Sequence, residues 1–200
     1  MSEDGLSLWY YTDKETNEEK TTTTYSTGDF YLCGDPNPDL YGGFGTSITF
    51  HGFDLSTQFS YLVGGLTYDY GYAGMMGNPT ATSVGNRWHK DVLKAWSPEN
   101  PSSTIPRWHF NDLNTTGSSD RFLIDGSYLN LQNIQVGYTL PDSWTSHLKI
   151  KNLRLYFVCD NVYYWSKRKG LDPRRSISGV GTSGKIAPFR TYSGGISLQF

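Results

Sequence analysis

Strict period-two alternation is the feature that most narrows what this chain can become. Over Thr191–Phe200, residues Tyr192, Gly194, Ile196, Leu198 and Phe200 fall on one side of an extended backbone. Thr191, Ser193, Gly195, Ser197 and Gln199 fall on the other. Successive side chains of a strand point to opposite faces, so this run specifies a β-strand with one apolar and one polar face. The pattern recurs upstream. Phe53, Leu55, Thr57, Phe59, Tyr61 and Val63 alternate with Asp54, Ser56, Gln58, Ser60 and Leu62, and Phe44, Ile48 and Phe50 precede them. His51-Gly52 between the two runs predicts a two-residue hairpin turn. Ile134, Val136, Tyr138 and Leu140 form another apolar face. Leu129 and Leu131 are out of phase with it, which predicts a bulge near Gln132-Asn133. Leu153, Leu155 and Phe157 continue the theme, and Leu6 to Tyr11 is a candidate for an earlier strand.

These runs place strands at 41–50, 53–64, 127–140, 152–165 and 189–200. Long connections fill 65–126 and 166–188, and residues 1–40 read as a partial strand plus a loop. Long and short connections alternate along the chain. Two architectures produce alternation of this kind. In a β-sandwich the apolar face packs against a second sheet, whereas in a membrane barrel it meets lipid and the polar face lines the lumen. Three features favour the barrel: long strands, a chain whose last strand ends on an aromatic, and aromatics at strand ends (Tyr41, Phe44, Tyr61, Tyr138, Tyr163, Tyr164, Trp165). Composition agrees, with 18% charged and 16% aromatic residues. Mean hydropathy is −0.51, and no run approaches the roughly 20 apolar residues of a spanning helix. Barrel strands average out as hydrophilic, so this excludes only helical spans. Met1 is followed by Ser2-Glu3-Asp4, with no basic start and no apolar stretch of a secretory leader. An outer-membrane protein needs such a leader, so the barrel reading expects the natural chain to begin upstream.

The chemistry of sites is sparse. A net charge of −2 argues against nucleic acid as a partner. The basic run Lys167-Arg168-Lys169, with Arg174-Arg175, reads as a solvated loop. Cys33 and Cys159 lack metal-ligand spacing and read as free thiols. His51, His89, His109 and His147 are scattered. Gly34-Asp35-Pro36-Asn37-Pro38-Asp39 lacks the glycine and terminal Glu of a calcium loop, and turn chemistry accounts for it. Asp54 and Asp160 read as lumen-lining carboxylates, not a hydrolase pair. No nucleophile elbow, P-loop or zinc-protease motif is present, so neither an enzyme nor a metal or cofactor is expected. In the long loop Asn86 predicts a cap for a short helix over Arg87–Trp96, with Trp88, Val92 and Trp96 on one face.

Several segments together carry a family likeness. The stretch from Ser127 to Pro141, then Leu153-Arg154-Leu155-Tyr156, Asp160-Asn161 to Trp165, and Lys169-Gly170-Leu171-Asp172-Pro173 resemble the C-terminal strands of SusC/RagA-family TonB-linked outer-membrane proteins, as does Arg190 to Phe200. Tyr41 to Ser47, Gly52 to Ser56 and Phe59-Ser60-Tyr61 are similar to that family's earlier hairpin. Arg87 to Lys90, Trp96 to Asn100 and Ser119 to Leu123 resemble its intervening loop. The resemblance implies an all-β fold: an antiparallel transmembrane β-barrel segment, about six strands of a barrel needing on the order of 22, with long extracellular loops and one short loop helix. It implies residence in the outer membrane of a Gram-negative bacterium and uptake of oligosaccharides or peptides. Implied partners are a SusD-like surface lipoprotein as lid, the TonB complex acting through regions absent from this sequence, the barrel-assembly machinery and outer-membrane lipid. Phe200, with Leu198 and Ile196, is then the assembly signal. Trp88, Trp96, Trp108, Tyr68, Tyr70 and Tyr72 are the candidate ligand or lid contacts in the loops.

Overall fold

A computed structural model of the chain describes residues 1–80, 87–115, 117–145, 150–169 and 188–200. Its centre is an antiparallel sheet of five strands: β3 (Leu40–Phe50), β4 (Phe53–Val63), β7 (Tyr128–Thr139), β8 (Asn152–Ser166) and β9 (Thr191–Gln199). They lie in the order β3-β4-β7-β8-β9, so each pairs with its neighbour in the series, as in an up-and-down meander. Among the described residues the sheet does not close, and β3 and β9 are its edges. The expected strand near Leu6–Tyr11 is not a sixth member. Instead Trp9–Thr12 (β1) pairs with Glu19–Thr22 (β2) in a separate hairpin, whose turn is tied by a Lys20–Asp13 ion pair.

The β3–β4 turn is the two-residue hairpin that the sequence predicts. His51 and Gly52 both take positive φ, 48° and 84°, as a type I′ turn requires. Full register from Leu40↔Val63 to Phe50↔Phe53 follows. The bulge also falls where the phase of Leu129 and Leu131 changes. Asn133 pairs with Gln58 but Leu131 with Phe59, so Gln132 is the extra residue. It brings Leu129 and Leu131 onto the same face as Ile134 and Val136.

Cross-strand register sorts the sheet into two unlike faces. One row runs Phe50, Phe53, Tyr138, Leu155, Ile196, and the next runs Ile48, Leu55, Val136, Phe157, Gly194. The other face carries Thr49, Asp54, Gly137, Tyr156, Gly195, and then Gly45, Gln58, Asn133, Asp160, Thr191. The apolar face is the bare one: Phe50 is 70% exposed, Ile196 66% and Phe157 49%. The polar face is where groups become enclosed, with Asn130 only 1% exposed and its amide donating to Ser60 Oγ at 3.3 Å. Among the described residues the fully buried hydrophobics are only Met76, Phe122 and Cys159, and just one of these, Cys159, is in the sheet.

Above one end of the sheet the chain builds a second region from its long connections. β4 continues past a bend at Gly64 and Gly65, both at positive φ, into β5 (Leu66–Tyr68). β5 pairs with β6 (Leu123–Asp125), which feeds β7 through Gly126. The long loop therefore starts and ends as an extension of the β4–β7 ladder. Between them lies α1 (Tyr70–Met76), N-capped by Asp69, whose carboxylate accepts from Tyr72 N–H at 3.2 Å. The helix predicted over 87–96 is shorter and tighter, a 3₁₀ segment at Lys90–Lys94. Its cap is the His89 ring, which accepts from Asp91 N–H; the expected cap, Asn86, lies outside the described residues. Among the described residues, the opposite end of the sheet has the β3–β4 turn and a short helix, α2 (Asp142–Thr145), between β7 and β8.

Gly137 makes the polar face testable. It leaves room for Arg154 to reach across β7 and pair with Asp54 on β4; a Cβ there would lie 2.6 Å from Arg154 Nη2 and collide with the Asp54 carboxylate. Gly137→Val is expected to lower stability by about 1–3 kcal/mol through overpacking. Gly194→Ala, whose nearest neighbour lies at 3.8 Å, should change little. Urea-unfolding midpoints of the detergent-folded protein measure both, and equal midpoints for the two variants would refute the bridging role.

Candidate functional site

Two sets of side chains carry the chemistry of this chain. The first lies on the polar face of the sheet. Arg154 Nε and Nη2 donate to the two Asp54 oxygens at 2.9 and 2.6 Å, a bidentate pair arching over Gly137. The same guanidinium lies 5.2 Å from the centre of the Tyr156 ring, which covers Gly195 on β9. Two rows further along the same face, Asn133 donates to Asp160 at 2.6 Å. Asp54 and Asp160 thus share the polar face, as expected from their neighbours, each with its own partner. On this face both carboxylates are taken up in cross-strand hydrogen bonds.

The second set ties the long loop together. Three consecutive residues leaving β8 each find a different carboxylate. Lys167 Nζ lies 3.0 Å from Asp125, Arg168 Nη2 3.6 Å from Asp69, and Lys169 Nζ 3.0 Å from Asp91. The Lys169 N–H also donates to Asp69 at 3.0 Å. Arg168 and Asp69 have side chains only 3% and 2% exposed, so Arg168 departs from the solvated loop that composition suggests, while the Lys167 and Lys169 side chains stay 71% and 57% exposed; Arg174 and Arg175 lie outside the described residues. Asp91 also accepts from the Tyr72 hydroxyl at 3.0 Å, and Lys169 sits 5.1 Å over the Tyr72 ring. The Lys169 ammonium, then the Tyr72 hydroxyl, hold the Asp91 carboxyl far below the usual carboxylate range. Ser127, through its hydroxyl and N–H, and then Lys167 bring Asp125 down from 3.8 to about 2.

The aromatic residues singled out in the loops do not form one platform. Trp88 and Trp108 meet edge to face at 5.5 Å, and both indole N–H groups donate to the Gly77 carbonyl, at 3.0 and 3.2 Å. Tyr68 packs on Tyr70 at 4.4 Å and on Phe122 at 5.9 Å, and Tyr72 on His89 at 4.9 Å. Trp96 stands apart, its ring laid over Gly5. Of the six, Tyr70 and Trp108 keep the most surface, 42% and 41%. Sequence reasoning missed the carboxylates Asp69, Asp91 and Asp125, because their partners lie far along the chain. It had one usable signal for the polar face: a glycine inside a strand, such as Gly137, often marks a close approach.

Comparison with known proteins identifies the architecture. TonB-dependent receptor P3 of Formosa agariphila is 30% identical over 185 residues, covering 88% of this chain. TonB-dependent receptor SusC of Bacteroides thetaiotaomicron is 27% identical over 182 residues, also covering 88% of it. The solved structure of the RagAB peptide transporter superposes over 100% of this chain with a TM-score of 0.75 and 25% identity. This chain belongs to the SusC/RagA-type TonB-dependent receptors. A second RagAB structure, the peptide importer in its open-open state, matches with a TM-score of 0.71 and 25% identity. The chain spans only a part of these SusC/RagA-type relatives: 18% of P3, 17% of SusC, and 22% and 21% of the two RagAB chains. No protein-family model matches it. These relatives carry the names of receptors and transporters, not of enzymes.

The carboxylate ties set a pH dependence for this SusC/RagA-type loop. A depressed carboxyl contributes stability that is complete above its unfolded value and is lost as pH falls through its folded one. The Asp125 tie is therefore expected to be intact above about pH 4 and to fail towards about pH 2, from its 3.8 to about 2 shift. The Ser127 N–H, which donates to Asp125 at 2.9 Å, reports it through its hydrogen-exchange protection. Asp91→Asn should speed tryptic cleavage after Lys169 at neutral pH by releasing its ammonium from the carboxylate, and unchanged cleavage would show that the tie does not hold the loop.

Proposed function

We propose that this chain is part of the wall and mouth of a TonB-dependent outer-membrane transporter that takes up oligosaccharides or peptides. The observation that carries this reading is the exposed apolar face of the five-stranded sheet. A soluble sandwich would cover such a face with a second sheet, and among the described residues no second sheet packs on it. Lipid supplies the cover in a barrel. The strands suit this role: β3 and β4 have 11 residues and β8 has 15, enough at about 3.3 Å per residue to cross a tilted membrane path. Aromatic side chains at both ends, Phe53 against Tyr138 at 4.4 Å and Tyr163 against Trp165 at 4.9 Å, sit where an interfacial girdle would.

In this reading the polar face lines the lumen, and the two open edges pair with strands of the same barrel that lie outside this sequence. The long loops are extracellular. They meet a SusD-like lipoprotein that acts as lid, with Tyr70 and Trp108 as the best-exposed contacts of the aromatic set. The TonB complex would act through regions outside this sequence, so this segment alone does not transport. Phe200 follows Ile196 and Leu198 on the apolar side of β9 and would present the strand to the barrel-assembly machinery.

Neighbouring positions on β8 test the lipid assignment. In membranes of brominated lipid, the tryptophan of Phe157→Trp should be quenched and that of Val158→Trp, on the opposite face, should not. Equal quenching at the two sites would sink the reading. Deleting Phe200 from the full-length protein is expected to reduce folded barrel in the outer membrane, scored by heat-modifiable gel migration. Normal assembly would remove Phe200 from this role.

A further inference from the structure

A cavity of about 370 Å³ opens where the β1–β2 hairpin and the segment after it meet the far end of the long loop. Its walls include Trp9, Tyr25, Tyr31, Tyr68, Asp120 and Arg121. Trp9 and Tyr25 meet edge to face with ring centres 4.8 Å apart and form an apolar side. The Tyr68 hydroxyl is engaged by Ser118 and Ser119, so its ring is held in place.

Arg121 is the unusual member. Its guanidinium carbon lies over the Phe122 ring, 4.4 Å from the ring centre. Its one hydrogen bond is long, Nη2 to the Thr115 carbonyl at 3.5 Å. Among the described residues no carboxylate stands within ion-pair distance of it. The adjacent Asp120 is turned to the Tyr31 hydroxyl instead, at 2.7 Å, and raises that hydroxyl to about 12. Burial works against the charge on Arg121. A stacked guanidinium with most of its five donors unspent is the geometry that takes a carboxylate in bidentate fashion.

We propose that this cavity binds a carboxylate-bearing ligand of monosaccharide or dipeptide size, with Arg121 holding the carboxylate and the Trp9, Tyr25 and Tyr68 rings holding an apolar face. The volume lies at the small end of ligand sites. Asp29, which also lines the cavity and accepts from Thr12 N–H at 2.7 Å, and Asp120 offer acceptors to hydroxyl or ammonium donors at the other side of the ligand. The assignment goes beyond transport and does not depend on it, because binding is measured at equilibrium without uptake.

Isothermal titration of the full-length protein in detergent with four probes tests it: galacturonic acid against galactose, and phenylalanyl-alanine against its C-terminal amide. At least one acid should bind about tenfold or more tightly than its neutral counterpart, the scale of a charge-assisted hydrogen bond. Which acid does so separates a sugar source of the carboxylate from a peptide one. Arg121→Gln should bring the acid down to the neutral level, and Arg121→Lys should keep part of the preference. Trp9→Leu should weaken acid and neutral forms alike. If neither acid is preferred, or if a folded Arg121→Gln protein binds the acid as the parent does, the proposal fails. Should Arg121→Gln not fold, the acid-against-neutral comparison on the parent decides by itself.

Discussion

Five paired strands satisfy each other's backbone groups, yet the sheet turns its greasy side outwards. In most domains burial of apolar surface is the dominant favourable term. Here the polar side is the one that becomes enclosed: Asn130 is nearly inaccessible, while Phe50, Phe157 and Ile196 stand bare. Such an arrangement is unfavourable in water and needs an apolar cover. The demand for that cover goes with two edges, β3 and β9, that are unpaired among the described residues. That demand explains why the sheet's hydrogen-bond register is strict, since a slip of one residue would exchange the faces.

The polar face shows how such a wall keeps its own charges. A bidentate Arg154–Asp54 pair is possible only because β7 carries Gly137 beneath it, and Tyr156 lies flat over Gly195 in the same row. Small residues opposite large polar ones let neighbouring strands share a crossing side chain without spreading. The arrangement gives a polar face whose charged side chains are hydrogen-bonded to one another across the strands.

The loop region obeys a different logic. It begins as a continuation of the β4–β7 ladder through β5 and β6, so its base moves with the sheet. Asp125 in β6, Asp69 just after β5 and Asp91 in the 3₁₀ segment fasten it to the three basic residues that leave β8. Because β7 and β8 are adjacent strands, these ties join loops from both sides of one hairpin. The aromatic residues mostly pack within this framework, and only a few keep exposed surface for a partner.

Period-two alternation determined the strands, their faces, the His51-Gly52 turn and the bulge at Gln132, because each depends only on local backbone geometry and the order of side chains. Low charge and terminal aromatics allowed a membrane wall, but alternation by itself left open which face would be dry. Only the tertiary structure decided that Trp9–Thr12 belongs to a separate hairpin and not to the sheet. Only it could join Lys169 to Asp69 across 100 positions of sequence, or seat Arg154 on Asp54. Ion pairs and cavities arise from proximity between distant segments, and a one-dimensional pattern of side chains holds no record of which distant segments will meet.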